Sequence, residues 1–197
     1  IVTNDIATAF SSEPIVAPIQ KLSNTNWWNG RSPSLRLERT LADYRDALKP
    51  VLSFANSIMF IDPHLKPSLP RYHDFSLLLC DCGNRTPIPL IEVHRVCYEG
   101  SGSARQFPQP QAIEADFRNA LGSALTSANV TIDIFVWDDF HDRYLISDLV
   151  GISLPNGFDT TAAARRQTTW TRLGRKDRDD LQREFDPASN RHALRHR

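Results

Sequence analysis

The sequence lacks any apolar run approaching the ~18 residues that a membrane span requires. Its longest such stretches, around residues 52–61 and 130–137, have the length of buried core elements. Cysteine is scarce. There are three, an odd number, and Cys80 and Cys82 stand too close to pair comfortably. A disulfide framework is therefore not expected, and a reducing, cytoplasmic setting is. The start shows no basic stretch, apolar segment and small-residue cleavage site, so a secretory leader is not expected either. Net charge is absent too, with 23 basic side chains against 23 acidic ones, and we find no internal repeat.

What is present describes an ordinary globular chain. Its 197 residues, 41% of them hydrophobic, suit one domain with a real core. The zero net charge hides an asymmetry. Residues 165–197 hold ten Lys/Arg against five Asp/Glu, a surplus of five positive charges, which leaves the preceding 164 residues at −5. Of the 23 cations 19 are arginine, the better bidentate phosphate ligand. This pattern fits a polyanionic partner or a solvated terminal segment.

The residue pattern predicts an irregular segment over 1–34, an α/β domain over 35–164, and a basic segment over 165–197 that packs on or extends that domain. Pro14, Pro18 and Pro33 interrupt the first segment, where Trp27 and Trp28 are placed to pack or to stack on a base. Leu35, Leu37, Leu41, Tyr44 and Leu48 read as a helix that Pro50 interrupts. Apolar strand-type segments follow at 57–61, 75–80 and 90–96. In the last, alternation puts Glu92 and His94 on one face and Ile91, Val93 and Arg95 on the other. Ile113, Phe117, Leu121 and Leu125 mark a helix over 111–127, and strands are expected at 130–137 and 144–146. That order predicts a mixed β-sheet flanked by helices.

The most informative stretch is HDRYLISD, residues 141–148. If it is a strand, His141 and Arg143 share one face, and an imidazole beside a guanidinium suits a phosphodiester. Histidine can attack phosphorus or move a proton near neutral pH, and arginine forks onto non-bridging oxygens. Asp148 is expected to orient the imidazole or balance the arginine. A strand with an exposed ion-pairing His and Arg and a turn at Asp148 is the plainer alternative.

The segment resembles the His-x-Lys-x4-Asp signature of the phospholipase D superfamily, with Arg143 in the lysine position. The tripeptide Ile61-Asp62-Pro63 is similar to the strand-to-loop entry of that superfamily. Residues 151–159, GISLPNGFD, stand where it usually has Gly-Ser-x-Asn, and Asn156 lies in that stretch. This combination looks more like the phospholipase D-like domain C-terminal to MIT modules and its bacterial relatives. The resemblance implies a phospholipase D-like sheet and phosphodiester cleavage through a phosphohistidine, usually without metal or other cofactor. His141 would be nucleophile or base, Arg143 the phosphate clamp and Asp148 the orienting acid. Superfamily sites use two copies of the motif, and with one copy recognised here the resemblance implies a homodimer. It also suggests a bacterial defence or effector nuclease, or a component of a larger complex. The alternative it leaves is a silent module that binds phosphate, nucleic acid or membrane lipid.

Asp62, Glu92 and His94 form a second constellation, similar to the Asp…Glu-x-Lys set of metal-dependent nucleases and able in principle to hold Mg²⁺ or Mn²⁺. Glu92 and His94 are alternatively supports of the His141 cleft, or a buried hydrogen-bonded pair. Trp170 with Arg172, Arg175 and Lys176 is a candidate nucleic-acid surface, Trp170 as a stacking platform.

Overall fold

The computed structural model describes residues 2–13, 16–83, 85–161, 163 and 165–197. The chain divides into two compact units, residues 1–33 and residues 34–197. The first is not wholly irregular. It contains α1 (Asn4–Ala9), a bridge between Val2 and Pro18, a 3₁₀ turn over Ile19–Asn24 and α2 (Asn26–Asn29). Within it the Trp27 and Trp28 rings meet edge to face, and the Arg31 guanidinium lies 3.6 Å from the Trp28 ring centre.

The second unit is an α/β domain built on one eight-stranded mixed sheet flanked by helices, as the residue pattern predicts. Its elements run β1 (Ser34–Glu38), α3 (Leu41–Phe54), β2 (Ser57–Ile61), α4 (Phe75–Asp81), β3 (Leu90–Val96), α5 (Pro110–Ser127), β4 (Asp133–Trp137), β5 (Tyr144–Ser147), β6 (Gly151–Ser153), β7 (Gln167–Arg172), α6 (Arg175–Glu184) and β8 (Leu194–His196). The strand order is β1-β7-β6-β5-β2-β3-β4-β8. Strands β2, β3 and β4 are parallel, and every other pairing is antiparallel.

Two expected elements change type. Leu35 and Leu37 belong to an edge strand rather than the first turn of a helix. The helix begins only after Thr40, whose hydroxyl accepts from the Asp43 N–H at 3.2 Å. Pro50 sits inside α3 without ending it. The apolar run at 75–80 is the helix α4, because a short run of leucines fits a buried helix as well as a strand. Residues 165–197 supply β7 from inside the sheet, α6 on one face and β8 at one edge.

Side-chain alternation along the central strands sorts the core into two layers. Ile58, Phe60, Ile91 and Val93 face the side covered by Leu48 of α3, Leu78 of α4 and Phe117 of α5. Met59, Ile61, Val96, Phe135 and Trp137 face the other side, where Phe185 closes a cluster of aromatic rings. The carboxyl ends of β2 and β3 open together, at the position where parallel α/β sheets form a crevice.

Candidate functional site

Asp62 directly follows strand β2 and is fully buried on the same face as Phe60. Four donors meet its two oxygens. The His64 N–H (3.0 Å) and Arg143 Nε (3.4 Å) reach Oδ1, while the Tyr72 hydroxyl (3.1 Å) and the Phe158 N–H (3.3 Å) reach Oδ2. Burial pushes this carboxyl up, and Arg143 with the three other donors pulls against it. Gly157 makes the approach feasible. Its φ is +63°, and a Cβ there would lie 2.0 Å from Asp62 Oδ2. Three distant segments therefore meet at one carboxylate.

This arrangement revises the part expected of Asp148. Residues 138–143 are not strand, and β5 starts only at Tyr144, so His141 lies on an exposed loop and Arg143 is half-buried. Asp148 sits five residues past Arg143, about 16 Å away at the rise of a strand. There its carboxylate accepts from the Asn56 N–H and Nδ2, both at 2.9 Å, and pins the turn after β5 to the start of β2. The acid that balances Arg143 is Asp62. Asn156 occupies the turn before Gly157, half-buried.

Asp62, Glu92 and His94 are not brought together. Asp62 faces the helix-covered layer, and His94 faces the aromatic one, fully buried. The His94 ring stacks on Phe135 at 4.9 Å and 6°, and on Trp137 at 5.9 Å and 11°. Its Nδ1 accepts from Trp137 Nε1 at 3.0 Å, which leaves the proton on Nε2, 3.3 Å from Glu92 Oε2. Burial holds its pKa below 6.5. It is a satisfied core histidine, since strand alternation turns it away from Asp62. Among the described residues no group of three His, Cys, Asp or Glu is spaced to hold a metal ion.

The proposed nucleic-acid surface also changes. Trp170 is buried, its ring 4.7 Å from that of Tyr44, so it offers no stacking platform. Its position on β7 alternates inward with Thr168. Arg172 and Lys176 are exposed, and Arg175 approaches Asp179 at 3.8 Å. Arg172 and Arg175 lie by the turn at Asp148, at the end of the sheet opposite Asp62. Several of the basic segment's arginines are also paired, Arg178 with Asp179 and Arg191 with Asp180 within the segment and Arg197 with Asp133 outside it, although only the last reduces the segment's excess of five.

Beside Asp62 the structure adds residues that the sequence reading did not single out. A cavity of about 290 Å³ is lined by His64, Lys66, Arg71, Arg95, Tyr98 and Glu99, among others. Lys66 Nζ pairs with Glu99 at 2.8 Å. Tyr98 is anchored through its hydroxyl to Asp139, which also binds Arg105. Burial lowers the His64 pKa, and Arg143, Arg71, Arg95 and His141 lower it further, so its neutral form is favoured. Arg95 is 1% exposed. Its Nε donates to the Val96 carbonyl at 3.0 Å and one terminal nitrogen reaches the Tyr98 carbonyl at 3.5 Å. No carboxylate of a described residue pairs with it. A signal for part of this set was present in the sequence: His64-Leu65-Lys66, directly after Asp62-Pro63, repeats the His-x-cation spacing of His141 and Arg143. For Arg95 the signal was its place on the face of β3 shared with Ile91 and Val93, although alternation alone does not say that a cation there is buried.

No protein-family model matches the chain, and no curated protein matches it. Among solved structures the chain is similar to TrmBL2, an archaeal chromatin protein whose structure is described as showing a novel mode of DNA binding. The TM-score is 0.46 at 10% identity over 96% of this chain. The match spans 60% of that protein's chain.

Proposed function

We propose that this chain is a phosphate-ester-binding domain, phospholipase D-like in arrangement, with its ligand seated at the carboxyl ends of β2 and β3. The observation that carries the reading is Arg95. A guanidinium taken out of water is costly unless an anion meets it, and this one lines an open cavity with no ion pair to a described residue, Glu99 and Asp116 acting on it only from beyond ion-pair distance. Arg71, exposed at the same cavity and without an ion pair to any described residue, adds a second guanidinium. A nucleic-acid source of the phosphate is preferred to a lipid one. The exposed cations are mostly arginines, and α6, RKDRDDLQRE, offers a single leucine to an acyl layer.

A second reading, phosphodiester cleavage, is favoured by the two histidines near the crevice. Neutral His64 is suited to attack phosphorus, and the exposed His141 is the second imidazole available to pass a proton to the departing oxygen. Water would then break the phosphorus–nitrogen bond and regenerate the imidazole. Two imidazoles from one chain remove the need for a homodimer on which a single motif depended.

Fluorescence anisotropy of labelled single- and double-stranded oligonucleotides, with wild type and Arg95→Met, tests the binding reading. Saturable binding that the variant weakens at least about tenfold is expected, since a charge-assisted pair is worth about 1.5–3 kcal/mol. Equal binding by both proteins overturns it. Cleavage of the same probes in EDTA, lost in both His64→Ala and His141→Ala, supports the second reading. Binding without cleavage rejects that reading.

A further inference from the structure

Which phosphate the cavity is built for follows from its charge and from the burial of one of its cations, on the premise that it binds phosphate at all. Its lining holds three cations, Lys66, Arg71 and Arg95, and one carboxylate, Glu99. Lys66 and Glu99 cancel as a pair. Arg143, next door, is cancelled by Asp62. Two guanidinium groups remain without an ion pair to a described residue, the exposed one of Arg71 and the buried one of Arg95, the latter within the electrostatic reach of Glu99 and Asp116.

A phosphodiester carries one negative charge and has chain on both sides, so it needs a groove open at two ends. A phosphate monoester carries −1.5 to −2 at pH 7 and is tethered on one side only. Arg95 belongs to the central strand β3, and its Nε and one terminal nitrogen are held by backbone carbonyls. The remaining terminal nitrogen has no hydrogen-bond partner among the described residues, although the residue is almost wholly buried. A ligand atom that reaches it must therefore be the end of a group and not its middle. We propose that the cavity selects a phosphate monoester dianion, inserted end-on between Arg71 and Arg95, over a phosphodiester.

Calorimetric titration of the whole chain with inorganic phosphate, methyl phosphate and dimethyl phosphate, in a phosphate-free buffer, tests this directly. Methyl phosphate is expected to bind at least about tenfold more tightly than dimethyl phosphate, the worth of one further charge-assisted pair. Arg71→Gln, an exposed position that leaves folding intact, and Arg95→Met should each abolish that preference. Dimethyl phosphate binding as tightly as methyl phosphate overturns the selection while the phosphate-binding reading stands. If none of the three binds, both fail. Oligonucleotides with 5′-phosphate and 5′-hydroxyl ends then identify the source. A tighter 5′-phosphorylated strand assigns the site to nucleic-acid ends. Equal strands, with methyl phosphate still bound, assign it to small phosphomonoesters.

Discussion

His94 and Arg95 are neighbours on β3, both buried and both able to carry charge, yet they face opposite layers and meet opposite fates. His94 has each ring nitrogen engaged and a parallel aromatic ring on two neighbours, so its burial is explained within the chain. Arg95 has two carbonyls and no ion pair to a carboxylate of a described residue, although Glu99 and Asp116 act on its charge, so its bonds within the chain are incomplete. A buried polar group is a packing device when its bonds are complete, and a pointer to a ligand when they are not.

The contrast can be broken most severely at Asp62. Asp62→Ala leaves Arg143 and two buried N–H groups unpaired, and should cost about 3–5 kcal/mol in urea unfolding. A loss under 1 kcal/mol would show that the crevice does not depend on this carboxylate. Next in size is His94→Ala, expected to cost about 2–4 kcal/mol because it removes stacked area and strands the Trp137 N–H. One position along, Arg95→Met should be neutral or stabilising by about 1 kcal/mol in phosphate-free buffer, since an unpaired buried charge gives way to an apolar side chain of similar length. Comparable losses in the two variants would erase the distinction.

Acid sharpens the comparison at smaller scale. Burial holds His94 below its ordinary 6.5 in the folded chain. Above that value the histidine is neutral in both states and has no effect. As pH falls below it the unfolded chain takes up the proton first, so stability declines by up to about 1.4 kcal/mol per pH unit. Urea midpoints at pH 7.5, 6.5 and 5.5 should show a slope that His94→Gln reduces, and an unchanged slope would contradict the assignment. The smallest effect belongs to Asp148→Ala. Loss of its bonds to Asn56 should cost about 1 kcal/mol and leave methyl phosphate affinity unaltered.

The parts of this molecule legible from sequence are those governed by one strand or one helix. Alternation along β3 separates Glu92 and His94 from Arg95 correctly, and four-residue steps mark α5 from Ile113 to Leu125. Where two periods abut, as at Leu35, Leu37 and Leu41, a strand is absorbed into the helix that follows it. Trp170 fails for a related reason: within a basic segment it looks exposed, and only the pairing of β7 with β1 and β6 turns it inward. The crevice is still less legible, because its central contact joins Asp62 to Arg143 across 81 positions of chain. No local rule assigns Arg143 to Asp62 rather than to Asp148. Proximity in sequence favours Asp148, and the hairpin geometry of β5 carries it to the far end.

Those two carboxylates also act on one pair of strands from opposite ends. Strands β2 and β5 run antiparallel, with Ile58 across from Ser147 and Ile61 across from Tyr144. Asp148, just beyond β5, grips the start of β2, and Asp62, just beyond β2, grips the residue before β5. A slip of one residue would undo both clasps at once and turn every side chain to the wrong layer. The two strands are buckled front and back, and the loops at the mouth of the cavity inherit a fixed footing.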